Sequence, residues 1–274
     1  MGLPLLAYEG PALVALSRTP SPSELPLRSA ALVFPKGRLA VLAATDGNAL
    51  RFDRDEGGKS YKADFTILAR IVNLDGRVVR SASQPYRLTG PIAGVERAKA
   101  GEILFFRQPT LSPGRYVLEV ALHDALAARA AVQRTPFVVA NVSSMQVSSL
   151  VLVQRAERLK PEEQSKDNPL LVDDLLLYPN LGEPLQKSGR KTVAAFAVIE
   201  PASATNPSAT LQVLRDITEV ASIPVPLTPD GPSRLRAVAE ISLDKLSVGH
   251  YVLRLIVTQG DRREIRDASL EVRD

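Results

Sequence analysis

The sequence predicts an all-β protein built as two tandem β-sandwich domains of the Ig-like, Greek-key kind. Three observations carry this. The 274 residues are punctuated by 21 prolines and 16 glycines, which favours many short elements over a few long helices. Between these breaks, Val, Ile, Leu, Thr and Tyr recur with a period of two, the pattern of a half-buried strand. A ten-residue stretch is also written twice, as LSPGRYVLEV at 111–120 and LSVGHYVLRL at 246–255.

Taken in order, residues 1–26 are rich in Pro and Ser, with SRTPSPSELP at 17–26. They read as a lead-in with little regular structure. The first sandwich is expected over 27–140. It opens with a strand at 28–34. Its clearest strand is 61–71, where Tyr61, Ala63, Phe65, Ile67, Ala69 and Ile71 alternate with Lys62, Asp64, Thr66 and Arg70. Asp75-Gly76 then supplies a hairpin turn able to take positive φ, and Val78–Val79 begin the return strand. GVERAKA at 94–100 is the only helix-like turn in this half. Strands follow at 103–106, through the first decapeptide, and at 135–139.

A short polar joint spans 141–147, and the second sandwich is expected over 148–274. Its strands are read at 150–153, 174–177, 193–199, 210–214, 221–225, 235–243, through the second decapeptide, and at 268–272. The repeat extends beyond ten residues. At an offset of 135, Ile103 matches Val238, Phe106 matches Ile241 and Leu111 matches Leu246, whereas Val139 matches Val272 only at 133. A hairpin loop two residues shorter in the second copy accounts for the change.

The repeated residues suit a tyrosine corner, the sheet-crossing turn of Greek-key sandwiches. Leu111 and Leu246 would plug the core before the turn. Gly114 and Gly249 would take backbone angles closed to other residues. Tyr116 and Tyr251 would bury their rings and return a hydroxyl hydrogen bond to nearby backbone. These roles are structural.

Chemistry-bearing sets are sparse. With no cysteine, a disulfide scaffold, a thiolate zinc site and a Cys nucleophile are excluded. The two histidines, His123 and His250, fall in different halves on outward positions, without Ser, Asp or Glu at catalytic spacing. Asp53, Asp55 and Asp64 give a weak calcium pattern. It lacks an oxygen ligand at the fifth position and the usual Glu at the twelfth, so a solvated loop is the expected reading. Asp173-Asp174 raises acid/base work but precedes an apolar strand, as a turn or gatekeeper would. Asn141-Val142-Ser143 fits a glycosylation sequon. No phosphate loop or dinucleotide fingerprint occurs, and no cofactor is expected. The net charge of +4 is scattered among acids, aromatics are 5% and Trp is absent. Neither a basic stripe nor a stacking platform for nucleic acid is present. The apolar start, MGLPLLAYEGPALVALS, lacks a basic leading region and holds Glu9, so it is a poor signal peptide. No run approaches the roughly 18 apolar residues of a membrane span, and no membrane insertion is expected.

Two stretches resemble the bacterial von Willebrand factor A-related proteins. They are GEILFFRQPTLSPGRYVLEVALHDALAARAAV at 101–132, and SSLVLVQRAERLKPEE with NPLLVDDLLLYPNLGEPLQK within 148–187. LLYPNLGEPLQK is the most specific part. The likeness spans about 28–274 and concerns the β-rich region downstream of the A domain. The A domain's Asp-x-Ser-x-Ser metal motif is absent, so no adhesive metal residue carries over. The resemblance implies export, and hence a periplasmic, surface or secreted location. It also implies a chain that is truncated, split, internally started or served by a separately encoded A domain. The expected function is non-enzymatic, a structural or interaction region whose partner is another protein or an adjacent A-type domain. The alternatives are a carbohydrate- or ligand-binding module and, further off, a hydrolase drawing carboxylates from separate strands.

Overall fold

The computed structural model describes residues 6–141, 145–165, 167–202 and 206–274. It is an all-β sandwich protein of several sheets. The chain divides into two compact units: Met1–Ala31, Val41–Pro109 and Gly114–Val138 form the first, and Leu32–Ala40, Thr110–Pro113 and Val139–Asp274 the second. Two short segments of the N-terminal half, Leu32–Ala40 and Thr110–Pro113, belong with the second unit.

In chain order, the first eight strands are β1 (Arg28–Phe34), β2 (Arg38–Asp46), β3 (Asp53–Arg54), β4 (Ser60–Asn73), β5 (Val78–Pro91), β6 (Glu102–Arg107), β7 (Gly114–Asp124) and β8 (Arg129–Val139). They form a three-stranded sheet, β1-β2-β6, and a five-stranded sheet, β3-β4-β7-β8 with β5 paired to β4. The β4–β5 hairpin turns at Gly76, φ 77°. There Asn73 Oδ1 accepts from the amides of Asp75 at 3.1 Å and Arg77 at 2.9 Å. α2 (Val95–Lys99) is the short helix inside GVERAKA.

The lead-in is more ordered than the sequence suggests. Gly10–Ser17 form α1, with Pro11 in its first turn, where a missing N–H costs nothing and the fixed φ suits a helix. α1 buries Ala12 and Leu16 against Leu68 of β4 and Ala121 of β7. This explains why Thr66 and Leu68, on the expected outward face of β4, are buried: the middle of the strand is covered on both sides. Arg134 donates to the Leu16 carbonyl at 2.5 Å. The next segment, 22–24, lies along β8. The Val132 amide donates to Pro22 O at 2.8 Å, the Glu24 amide to Ala130 O at 3.0 Å, and the Ala130 amide to Glu24 Oε2 at 2.7 Å.

The second unit adds β9 (Gln146–Val147), β10 (Val151–Arg158), β11 (Leu171–Val172), β12 (Leu175–Pro179), β13 (Leu185–Gln186), β14 (Thr192–Glu200), β15 (Ser208–Arg215), β16 (Thr218–Val225), β17 (Leu227–Pro229), β18 (Leu235–Ser242), β19 (Gly249–Gln259) and β20 (Arg262–Arg273). One sheet runs β11-β12-β10-β14-β18-β17 with β9 on β14, and the other runs β13-β20-β19-β15-β16. Their inner faces share one core. Val193, Ala195, Ala197 and Ile199 of β14 and Ala237, Ala239 and Ile241 of β18 meet Leu211 and Val213 of β15 and Leu253, Leu255 and Val257 of β19. The turn Pro35–Gly37 lies against β14. It is tied by the Ser149 amide to Val33 O at 2.7 Å and by the Lys36 amide to Gln146 Oε1 at 2.8 Å. Leu32–Ala40 therefore belongs to this unit.

The repeat is a repeat of topology. β6 lies in one sheet and the β7–β8 hairpin in another, and β18 and the β19–β20 hairpin are divided in the same way. Residues 125–128 connect the first hairpin and 260–261 the second, which is the two-residue difference read from the offsets.

Candidate functional site

The second corner stands on local bonds. The Leu246 amide donates to Leu243 O at 3.1 Å. Tyr251, 4% exposed, donates its hydroxyl to Ser247 O at 2.8 Å. Gly249 has φ +145°, and a Cβ there would lie 3.3 Å from the Arg215 guanidinium. The first corner differs. Leu111 is buried, and its amide donates to Gly37 O at 2.9 Å. The Tyr116 ring is half-buried and stacks on Phe137, centroids 5.6 Å apart. Gly114 is outside the positive-φ region, so the expectation of a special backbone angle is corrected there. Its small size matters instead, because a Cβ would stand 3.1 Å from the Tyr116 hydroxyl.

The acidic candidates have separate partners. Asp53 pairs with Arg51 at 2.7 Å. Asp55 accepts from the amides of Lys59 at 2.8 Å and Ser60 at 3.0 Å; these backbone bonds, Ser60's foremost, lower its pKa. Asp64 lies 3.8 Å from Arg87. Among the described residues, no three His, Cys, Asp or Glu side chains are placed to hold a metal ion. Asp173, at φ 55°, and Asp174 form the two-residue turn between β11 and β12. Asp173 pairs with Arg236 at 2.6 Å, and Asp174 with Arg158. The sequon's Val142 and Ser143 lie outside the described residues. No helix among the described residues is long and apolar enough to cross a membrane.

His123 and Asp124 do point to opposite sides of β7. Asp124 is 1% exposed and accepts from the amides of Arg51, Leu126 and Ala127 at 2.9–3.2 Å. A buried carboxylate satisfied by backbone donors organises loops. The sequence reading missed this role, although the Asp before a four-residue turn was its signal. His123 is half-buried, and desolvation lowers its pKa.

His250 stands at a groove of about 350 Å³ in the second unit, lined also by Asn180, Glu183, Asp216, Tyr251 and Glu271. The groove forms because β13 runs parallel to the end of β20, pairing Leu185 with Val272, which brings the NLGEP loop beside the corner. That loop is internally braced. Asn180 Nδ2 donates to Glu183 O at 2.8 Å, the Gly182 amide to Asn180 Oδ1 at 2.8 Å, and the Leu181 amide to Glu183 Oε2 at 2.7 Å. Gly182 takes φ +106°. Glu271 accepts from Arg273 Nε at 2.7 Å. Two of the three carboxylates therefore already have bonded partners, that of Glu271 being the Arg273 guanidinium. Ile217, next in sequence to the lining residue Asp216, is 96% exposed and Val248, two residues before His250, 45% exposed; Arg215 Nη2 reaches the Val248 carbonyl at 3.5 Å.

This fold and groove define an all-β sandwich protein. No family model matches the chain, and no curated protein matches its sequence.

Proposed function

We propose that the chain is a non-enzymatic protein-interaction region, the β-sandwich part of an exported bacterial envelope protein related to the von Willebrand factor A proteins. The observation that supports this most is the groove lined by carboxylates together with the exposed Ile217, next in sequence to its lining residue Asp216. Covering an apolar side chain as open as Ile217 removes its surface from water and so favours association. Glu183, Asp216 and Glu271 line the groove, and no Lys or Arg does. The chemistry suits a partner segment that presents an apolar side chain beside a basic one. The occupant is an A-type domain encoded beside this chain, and its place of action is outside the cytoplasm.

The test is titration of the purified chain with that A-type domain, read by calorimetry. Ile217→Asp should weaken the complex by about tenfold or more, as loss of an anchoring side chain does. A complex indifferent to Ile217→Asp, no complex at all, or a genome with no A-type domain beside this gene would each count against the reading.

A further inference from the structure

A second cleft of the same unit, about 290 Å³, shares no residue with that groove. Its lining includes Lys36, Arg38, Asn168, Glu200, Asp230 and Arg234, all within the second unit. Two of its charges are incompletely matched. Glu200, at the end of β14, is 13% exposed. Its Oε1 meets Lys36 Nζ at 2.7 Å, whereas its Oε2 is buried without a hydrogen-bond partner among the described residues. A buried carboxylate oxygen without a donor is destabilising, and native folds keep few such atoms without a further partner. Arg38 is half-buried and donates to the Asp167 carbonyl at 2.7 Å. Among the described residues it has no carboxylate partner. Arg234 is held by Asp230, through its backbone oxygen at 3.2 Å and its carboxylate at 3.5 Å.

Three cations thus face two carboxylates. A ligand that completes this set has an acid group for the guanidinium side. The volume is at the lower end for small-molecule sites, roughly 300–1,000 Å³, which suits one sugar ring rather than a chain. Phe34 and Phe196 also line the cleft but are each 3% exposed. Recognition therefore rests on charge and hydrogen bonds rather than on stacking, and the absence of Trp is no obstacle.

We infer that this cleft binds a small carboxylate of uronic-acid size, its carboxylate meeting Arg38 and Arg234. This stands independently of the partner groove.

The experiment is an amide-resolved NMR titration of the whole chain with glucuronate, with glucose as the neutral match. Glucuronate should saturate at millimolar concentration, about 1 mM at half-effect, moving the amides of Arg38, Glu200 and Arg234, while glucose should bind at least about tenfold more weakly. Arg38→Gln, shown folded by an unchanged spectrum away from the cleft, should weaken glucuronate about tenfold and leave glucose unaffected. Arg54→Gln, in the first unit, should change neither. Equal affinity for the two sugars, no saturation of wild type below about 20 mM, or full glucuronate affinity in Arg38→Gln would overturn the inference. Discrimination by the wild-type chain alone decides the matter if Arg38→Gln does not fold.

Discussion

The two corner motifs agree at six of ten positions, yet the structure secures them differently. In the first, the Leu111 amide is held by Gly37, far upstream on another turn. Gly114 keeps ordinary backbone angles beneath a half-buried tyrosine. In the second, the Leu246 amide is held three residues away, Gly249 takes a positive φ, and the tyrosine is buried. The shared Leu, Gly and Tyr specify where the chain crosses between sheets. What anchors the crossing comes from the neighbours, and the neighbours are not repeated.

Substitutions can break this contrast. Gly37 has φ +69°, and a Cβ there would sit 2.1 Å from the Leu111 carbonyl oxygen, which is backbone and cannot swing away. Gly37→Ala should show the largest effect, about 3 kcal/mol of lost stability by chemical denaturation. Its amide exchange should rise first around Leu111. Gly249→Ala should follow at roughly 2 kcal/mol, from backbone strain with only a flexible guanidinium to displace. Gly114→Ala should cost less than about 1 kcal/mol, since a ring edge can give. Equal losses at Gly114 and Gly249 would show that the two glycines serve one purpose after all. Tyr251→Phe removes one hydrogen bond and should cost about 1 kcal/mol; an unmoved denaturation midpoint would dissociate the hydroxyl from the corner.

The smallest effect expected is one of pH. Burial, the largest influence, lowers the His123 pKa; Asp124 raises it, Arg18 lowers it and Asp64 raises it. The unfolded chain therefore takes up this proton first, near pH 6.5. Stability present above that value is lost as pH falls toward the lower folded pKa. Between about pH 7 and about pH 5, His123→Asn should lose less stability than wild type, by under about 1 kcal/mol. Parallel pH curves for the two proteins would refute this.

Local patterns revealed what local physics decides. The Asp75-Gly76 hairpin, the short helix at 95–99 and the shorter loop of the second copy were all legible. β2 was not, because its residues from Leu39 to Thr45 are buried on both faces, which leaves no alternation to read. α1 hid among prolines and serines, and its apolar run needed the face of β4 and β7 to declare it a helix. The groove was illegible for another reason. Asn180 and Glu183 reach His250 only through the pairing of β13 with β20, a long-range contact that no spacing encodes. The cleft at Glu200 likewise depends on Leu32–Ala40 leaving its own half of the sequence.

The pairing of residues 22–24 with β8 has a consequence for the order of events during synthesis. An open strand edge invites the wrong neighbour, and partly made domains are most exposed to this. Here the covering segment leaves the ribosome about a hundred residues ahead of the strand it covers. The start of β8, at Ala130–Val132, therefore emerges to find its edge already provided for.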